Sequence, residues 1–370
     1  MAAQNACCGS MIYIHVPFCR SFCTYCDFYS ELLGEEAGPL KRYTDELCAE
    51  IKRRSGEMDD SLKTLYFGGG TPSLLPLTHL TRILLTLEEC GHGGPYREFT
   101  MEVNPDDIVE KGLPYAQSLK ALGVNRISIG VQSFDDELLR WMNRRHDALC
   151  AKEAFRIVRE AGIDNISLDL IFGLSNLSDK GWESTIDQAL ELNPEHISCY
   201  QLSVEGESLL AALVEKGEYE EASDELCRHQ YDILCQKMKA AGYSHYEISN
   251  FAKPGFEAVH NGGYWQRRPY VGLGPSAHSF SGKGRSWNDE ILEDYHLTSE
   301  ALSVEDEKVE TLMLALRTAR GIDAEFLTAN CLPENINRLV KAGALVKTGS
   351  RYRIPEDHFF VSDEIIRELV

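Results

Sequence analysis

The chain has 370 residues, 43% of them hydrophobic, and a formal net charge of −21 from 37 basic and 58 acidic side chains. Such a length exceeds what one core usually holds and points to two domains, or one large domain with an appendage. The acidic balance excludes a phosphate-tracking surface, so nucleic acid is not an expected partner, and no stretch approaches the roughly 18 uninterrupted apolar residues of a transmembrane helix. Twelve cysteines without a convincing signal peptide in residues 1–10 place the protein in a reducing compartment, the cytoplasm. Cys7 and Cys8 in that stretch read as incidental.

In chain order, short β-branched or aromatic runs fall at residues 11–16, 62–67, 98–103, 126–131, 167–172 and 196–202. Helical patterns lie between them, at 40–54, 77–89, 148–160 and 181–192, with lengths suited to right-handed crossovers between parallel strands. This predicts an α/β fold built as a partial (βα)6 barrel, open because six units fall short of the eight that close a full one. The barrel and its ligand-binding segment are expected over 1–281. A glycine-containing run, SGKGRS, opens a linker over 282–303, and 304–370 reads as a small winged-helix-like domain. Its helical patterns are at 305–319, 324–329 and 334–342, with two short strands around 348–350. The tail has many acids and no basic stripe, which favours a lid or docking role over DNA binding.

The polar and glycine-rich motifs all follow strands, and in a parallel βα array the C-terminal strand ends share one rim, where ligands bind. After the first strand comes HVPFCRSFCTYCDF, which places Cys19, Cys23 and Cys26 at CxxxCxxC spacing. Three thiolates leave an iron-sulfur cubane one protein ligand short, so one iron stays open for a small molecule. The same spacing also admits a structural zinc closed by a distant ligand such as His15. GGGTP, residues 68–72, follows the second strand. Its glycines allow close backbone approach to an amino-acid group, or simply a tight turn. Glu102 ends the third strand with Asn104 and Pro105, Gln132 and Ser133 close the fourth, and Asp169 to Gly173 sits on the fifth. Ser203 follows the sixth. Glu102 and Asp169 suit ribose hydroxyls or an ammonium, against the plainer use of a carboxylate in a cap or salt bridge. Arg144 offers a planar fork to a carboxylate, though exposed arginines are common.

Together CxxxCxxC, GGGTP, MEVNP, ISIGVQSF and DLIFGL resemble the radical S-adenosylmethionine superfamily. More narrowly they resemble the branch that holds oxygen-independent coproporphyrinogen III oxidase and the HemW haem chaperones. The resemblance runs from about Tyr13 to the C-terminus. It implies a 4Fe-4S cluster on Cys19, Cys23 and Cys26 with S-adenosyl-L-methionine at the fourth iron. Matching cofactor positions are Tyr13, Tyr25, Gly69, Gly70, Thr71, Glu102, Gln132, Arg144 and Asp169, with Ser203 a further contact.

Within the branch, coproporphyrinogen oxidases carry another cysteine two positions after the third, and an N-terminal extension. Here that position is Phe28, and eighteen residues precede Cys19. Both departures resemble the chaperone subgroup, as does HNGGYW (His260, Asn261, Gly262, Gly263, Tyr264, Trp265), which matches a motif associated there with haem. The resemblance therefore implies a haem carrier that delivers haem to an acceptor protein. The alternative is an enzyme using a 5′-deoxyadenosyl radical on a tetrapyrrole, such as coproporphyrinogen III. His260, Asn261, Tyr264 and Trp265 are the expected haem contacts. Arg267 and Arg268 stand ready for propionates, and His278 and Cys199 are other candidate iron ligands. An electron donor such as flavodoxin or ferredoxin and a second copy of the chain complete the expected partners.

Overall fold

The computed structural model describes residues 11–34, 38–59, 64–206 and 208–370. Cys7 and Cys8 lie outside the described residues, as do 62 and 63 at the start of the second expected strand. Six strands form the barrel wall: β1 (Met11–Val16), β2 (Thr64–Gly69), β3 (Glu98–Val103), β4 (Arg126–Gln132), β5 (Asn165–Phe172) and β6 (His196–Gln201). They run parallel in sequence order, as predicted. Three short strands extend the sheet to nine: β7 (Ser244–Glu247), β8 (Asn250–Ala252) and β9 (Val271–Leu273). β9 adds in parallel beside β1, while β8 and β7 add antiparallel beyond β6, so the two edges never meet and the barrel stays open.

Alternation along each strand separates an apolar outer face from a polar inner one, because side chains one apart point to opposite faces. Ile12 and Ile14, Leu65 and Phe67, Phe99 and Met101, Ile127 and Ile129, Leu168 and Leu170, and Ile197 are fully buried in the apolar core. That core lies under the crossover helices α1 (Gly38–Arg54), α2 (Leu77–Glu89), α3 (Pro105–Ala121), α4 (Ala148–Glu160) and α5 (Asp179–Glu191). The positions between them, among them Tyr13, Tyr66, Glu102, Arg126, Asp169 and Ser198, line the lumen. Helix α3 escaped the sequence reading because Gly112, at φ 67°, and Pro114 interrupt its pattern.

Residues 282–303 differ from the expected linker. Gly284–Asn288 and Leu297–Ala301 join His278–Phe280 in a three-stranded antiparallel sheet. The glycines that suggested flexibility make its turn: Gly282 takes φ 89°, and Ser281 N donates to Gly284 O at 3.0 Å. Every residue of Leu297–Ala301 is exposed, so no apolar alternation betrays it. This sheet and β9 are tied to α1 by Glu50, a fully buried carboxylate. Glu50 accepts from Arg54 Nη1 (3.0 Å), Gly274 N (2.8 Å), Asn288 Nδ2 (2.8 Å) and the Tyr295 hydroxyl (2.7 Å).

After residue 303 the chain forms helices Val304–Leu316, Ala324–Asn330 and Pro333–Lys341, then a hairpin of Val346–Thr348 and Arg351–Arg353 with Ile322–Asp323 as third strand. The hairpin turn falls at 349–350, where strand residues had been expected. A capping box between Ser303 and Asp306 starts the first helix.

Candidate functional site

A cavity of about 1310 Å³ opens at the C-terminal ends of the barrel strands and reaches down into the lumen. All three cysteines line it, and all ten expected cofactor positions do so too. The cysteine loop is held mainly by backbone groups. Cys19 sits in a two-residue ladder, Phe18–Cys19 against Glu31–Leu32. Thr24 N donates to Met142 O (3.1 Å), Thr24 Oγ1 to Trp141 O (2.9 Å), and Asn143 Nδ2 to Phe22 O (2.7 Å).

The donor set fits a cationic cluster. Burial, with the nearby Cys23 and Cys19 adding to it, pushes the Cys26 thiol up to about 11. Three thiolates so placed are costly until a positively charged centre binds them. Arg144 Nη1 donates to Cys23 Sγ at 3.3 Å, and the Thr71 hydroxyl lies 3.5 Å from Cys19 Sγ. The zinc alternative through His15 loses its ligand, because both ring nitrogens are engaged. Nε2 lies 2.9 Å from Tyr29 O, which can only accept, so Nδ1 accepts the Tyr13 hydroxyl at 3.0 Å. Among the described residues no three His, Cys, Asp or Glu side chains converge on a single-ion site.

His15 also explains the glycines. Gly69 takes φ 104°, and a Cβ there would lie 2.6 Å from the His15 ring. A Cβ on Gly70 would lie 2.7 Å from Phe18 O. The loop therefore packs directly on β1, and Gly70 N donates to Val16 O at 2.9 Å. Across the rim, Arg144 Nη2 bridges Asn104 Oδ1 (2.7 Å) and Gly130 O (2.6 Å). Gln132 sits at a register shift in β4 with φ 65°, an irregularity that re-aims a rim side chain. Ser203 donates to Glu205 Oε1 at 2.8 Å. Asp169 accepts the Ser128 hydroxyl, 3.0 Å from both carboxylate oxygens, and its burial raises its pKa.

Burial raises Glu102 to about 7 with help from Asp169, although the Tyr66 hydroxyl donates to it at 2.6 Å. With the ligand-free protein holding this proton more tightly than the unfolded chain, the stabilisation is complete below the ordinary glutamate value. It is lost as pH rises through about 7. Urea unfolding of ligand-free protein should show stability falling by up to about 3 kcal/mol from pH 4.5 to 8 relative to Glu102→Gln. Parallel pH profiles for the two proteins would contradict this.

Sequence reasoning missed the floor of the lumen: Tyr66, Arg126, Ser128, His196, Ser198 and Asn250. Strands of a parallel sheet covered on both faces are near-continuously apolar, so strict polar alternation in RISIGVQ and NISLDLIF was the available signal. His196 is held by Ser167 Oγ at Nδ1 and the Tyr246 hydroxyl at Nε2, both 2.7 Å.

HNGGYW forms most of a short helix, α6 (Val259–Trp265), that plugs this floor. Glu98 accepts from Val259 N (2.7 Å) and His260 N (2.8 Å). His260 is 1% exposed; Nδ1 pairs with Thr64 Oγ1 and Nε2 with the Tyr264 hydroxyl, each at 2.7 Å, and burial lowers its pKa to about 3. The structure divides the four expected haem contacts between two cavities. Residues four apart share a helix face, whereas Trp265 lies about 100° around the helix from Tyr264. His260, Asn261 and Tyr264 line the lumen, whereas Trp265 lines a second cavity. Arg267 is committed as well, to Glu307 O and Thr311 Oγ1 at 2.6 Å and to Glu310. Cys199 is buried in the apolar core, and His278 stacks on Trp287, 6.0 Å between centroids.

Comparison with known proteins decides the lineage. The model of the Radical SAM superfamily matches residues 13–189. The heme chaperone HemW of Synechocystis sp. is 36% identical over 84% of this chain and 78% of its own length. That of Bacillus subtilis is 36% identical over 84% of each chain. The chain belongs to the HemW family of radical SAM proteins. HemW of Mycobacterium tuberculosis is 31% identical over 97% of this chain and 94% of its own. In fold, the coproporphyrinogen III oxidase HemN of Escherichia coli, a radical SAM enzyme, superposes with a TM-score of 0.80 at 21% identity over 98% of this chain and 90% of that one. Membership of the superfamily implies a 4Fe-4S cluster with S-adenosylmethionine, a pair that supplies one-electron radical chemistry when bound.

Proposed function

We propose that this protein is a haem chaperone that binds haem and passes it to acceptor proteins in the cytoplasm. The observation that carries the reading is its kinship, 36% over most of both chains, with proteins named heme chaperone HemW. Cys19, Cys23 and Cys26 would hold the cluster. Arg144 would take the carboxylate of S-adenosylmethionine, Gly69, Gly70 and Thr71 its amino group, and Glu102 and Asp169 its ribose, beside Tyr13, Tyr25, Gln132 and Ser203. In this reading the cluster regulates haem transfer or pairing with a second copy of the chain, and a flavodoxin or ferredoxin supplies electrons. All ten described cysteines are free, in keeping with a reducing cytoplasm, and no helix among the described residues is long and apolar enough to cross a membrane. We divide the chain at 303, because the sheet of 278–280, 284–288 and 297–301 spans the boundary expected at 281, and assign 304–370 to docking of the acceptor.

The competing reading, oxidation of coproporphyrinogen III, shares the fold, but Phe28 stands where that branch carries its extra cysteine. Phe28 is 67% exposed at the cavity mouth. Anaerobic, reduced, cluster-loaded protein should form no protoporphyrinogen IX from coproporphyrinogen III. It should bind about one haem per chain and reconstitute an apo-haemoprotein faster than free haem does. Catalytic decarboxylation, or no saturable haem titration, would overturn the chaperone assignment.

A further inference from the structure

The two faces of α6 look into different spaces, and only one is filled by the barrel. On the far side from His260, a cavity of about 720 Å³ lies between Gly262 and Trp265 of α6 and the helix Val304–Leu316 with the sheet strand Ile322–Asp323 and Phe326. Its size falls within the range that takes one drug-sized ligand. Trp265, Phe280 and Phe326 give it aromatic walls. Of its acids, Glu247 accepts from Ser249 N at 2.9 Å and from Asn250, Asp323 caps Glu325 N at 2.9 Å, and Glu307 lines the cavity as well. Two of its cations have no carboxylate partner, unusually for a chain of charge −21. The Arg320 side chain makes no hydrogen bond or ion pair, and Arg351 donates only to the carbonyls of Arg320 (3.0 Å) and Gly321 (2.6 Å). Among the described residues, no His, Cys or Met lines it. The one hydroxyl suited to iron, that of Tyr246, is held by His196 at 2.7 Å.

We propose that this second cavity, not the barrel, holds the macrocycle: a flat tetrapyrrole gripped by aromatic faces and by its carboxylates on Arg320 and Arg351, with no strong protein ligand on the metal. The inference rests on the haem reading and refines it in two ways. The carrier and cofactor sites become separate, so both are filled at once. The iron is left free for the acceptor's ligand, and transfer needs no protein–iron bond to break.

Gly262 supplies the test. Its φ is not in the left-handed region, and a Cβ there would meet only Gln266 Nε2 at 3.9 Å, so Gly262→Leu projects into the cavity without touching the barrel. Haem titrations of the full, cluster-loaded chain should show affinity lowered roughly tenfold or more in Gly262→Leu, the scale of losing an aromatic stacking platform. A lesser loss is expected in the surface variant Arg320→Glu, and unchanged cluster absorbance and circular dichroism should certify the fold of both. Metal-free protoporphyrin IX should bind wild type within a few-fold of haem, and its dimethyl ester much more weakly. If wild type binds haem but both variants titrate like it, or if iron improves affinity a hundredfold over the metal-free ring, this location is wrong while the chaperone reading stands. If wild type takes up no haem, both fall.

Discussion

Anaerobically prepared Cys23→Ser should contain almost none of the roughly four irons and matching sulfide expected per wild-type chain, and should lose the brown absorbance that S-adenosylmethionine perturbs. The change removes one of only three soft donors that the loop provides, and a serine hydroxyl is a hard, hardly ionised substitute. The loop itself should persist. Its backbone is pinned through Thr24, Asn143 and the Phe18–Cys19 ladder, none of which needs the Cys23 thiol. Unchanged circular dichroism beside lost iron would thus separate ligand loss from unfolding. Stoichiometric zinc without sulfide in fresh wild-type protein would sink the cluster assignment.

Glu50→Ala should cost on the order of 3 kcal/mol or more in urea unfolding, the largest single-residue stability effect outside the apolar core. Glu50 and Arg54 are 0% and 4% exposed, and removing the carboxylate leaves the amide of Gly274 and the Tyr295 hydroxyl without their acceptor and the Asn288 side-chain amide with Gly274 O alone. Arg54 would keep Glu57, Gly272 O and Ser279. The damage should therefore fall on β9 and the sheet behind it, read as faster amide hydrogen exchange at residues 271–280 and 284–288 with little change in β3 to β5. A loss below 1 kcal/mol would show that the carboxylate is dispensable to that junction.

The strands β1 to β6 and the rim were legible because their signals are local. Apolar alternation marks each strand within six or seven residues, and parallel connection then brings every strand-end motif to one rim whatever the loop details. Where a motif's meaning depended on what packs against it, the reading went astray. HNGGYW is contiguous in sequence, yet its helix turns Trp265 about 100° from Tyr264 and buries His260 against Thr64, 196 residues earlier. SGKGRS looked like a joint because glycine serves both flexible linkers and tight hairpins, and only pairing with His278–Phe280 decides between them.

Composition, spacing and periodicity by themselves determined the open parallel barrel, its cysteine loop and the rim of the sheet at which the main cavity opens, since each follows from side-chain order within a single element. Tertiary structure alone decided the polar floor around Arg126 and His196, the neutral, doubly bonded state of His260, the Glu50 clasp and the second cavity. Each of these is made by groups far apart in the chain, such as Arg54 and Gly272 or Glu50 and Tyr295. No local propensity encodes such pairs; they form only when burial removes water as the competing partner and obliges every polar group to find another.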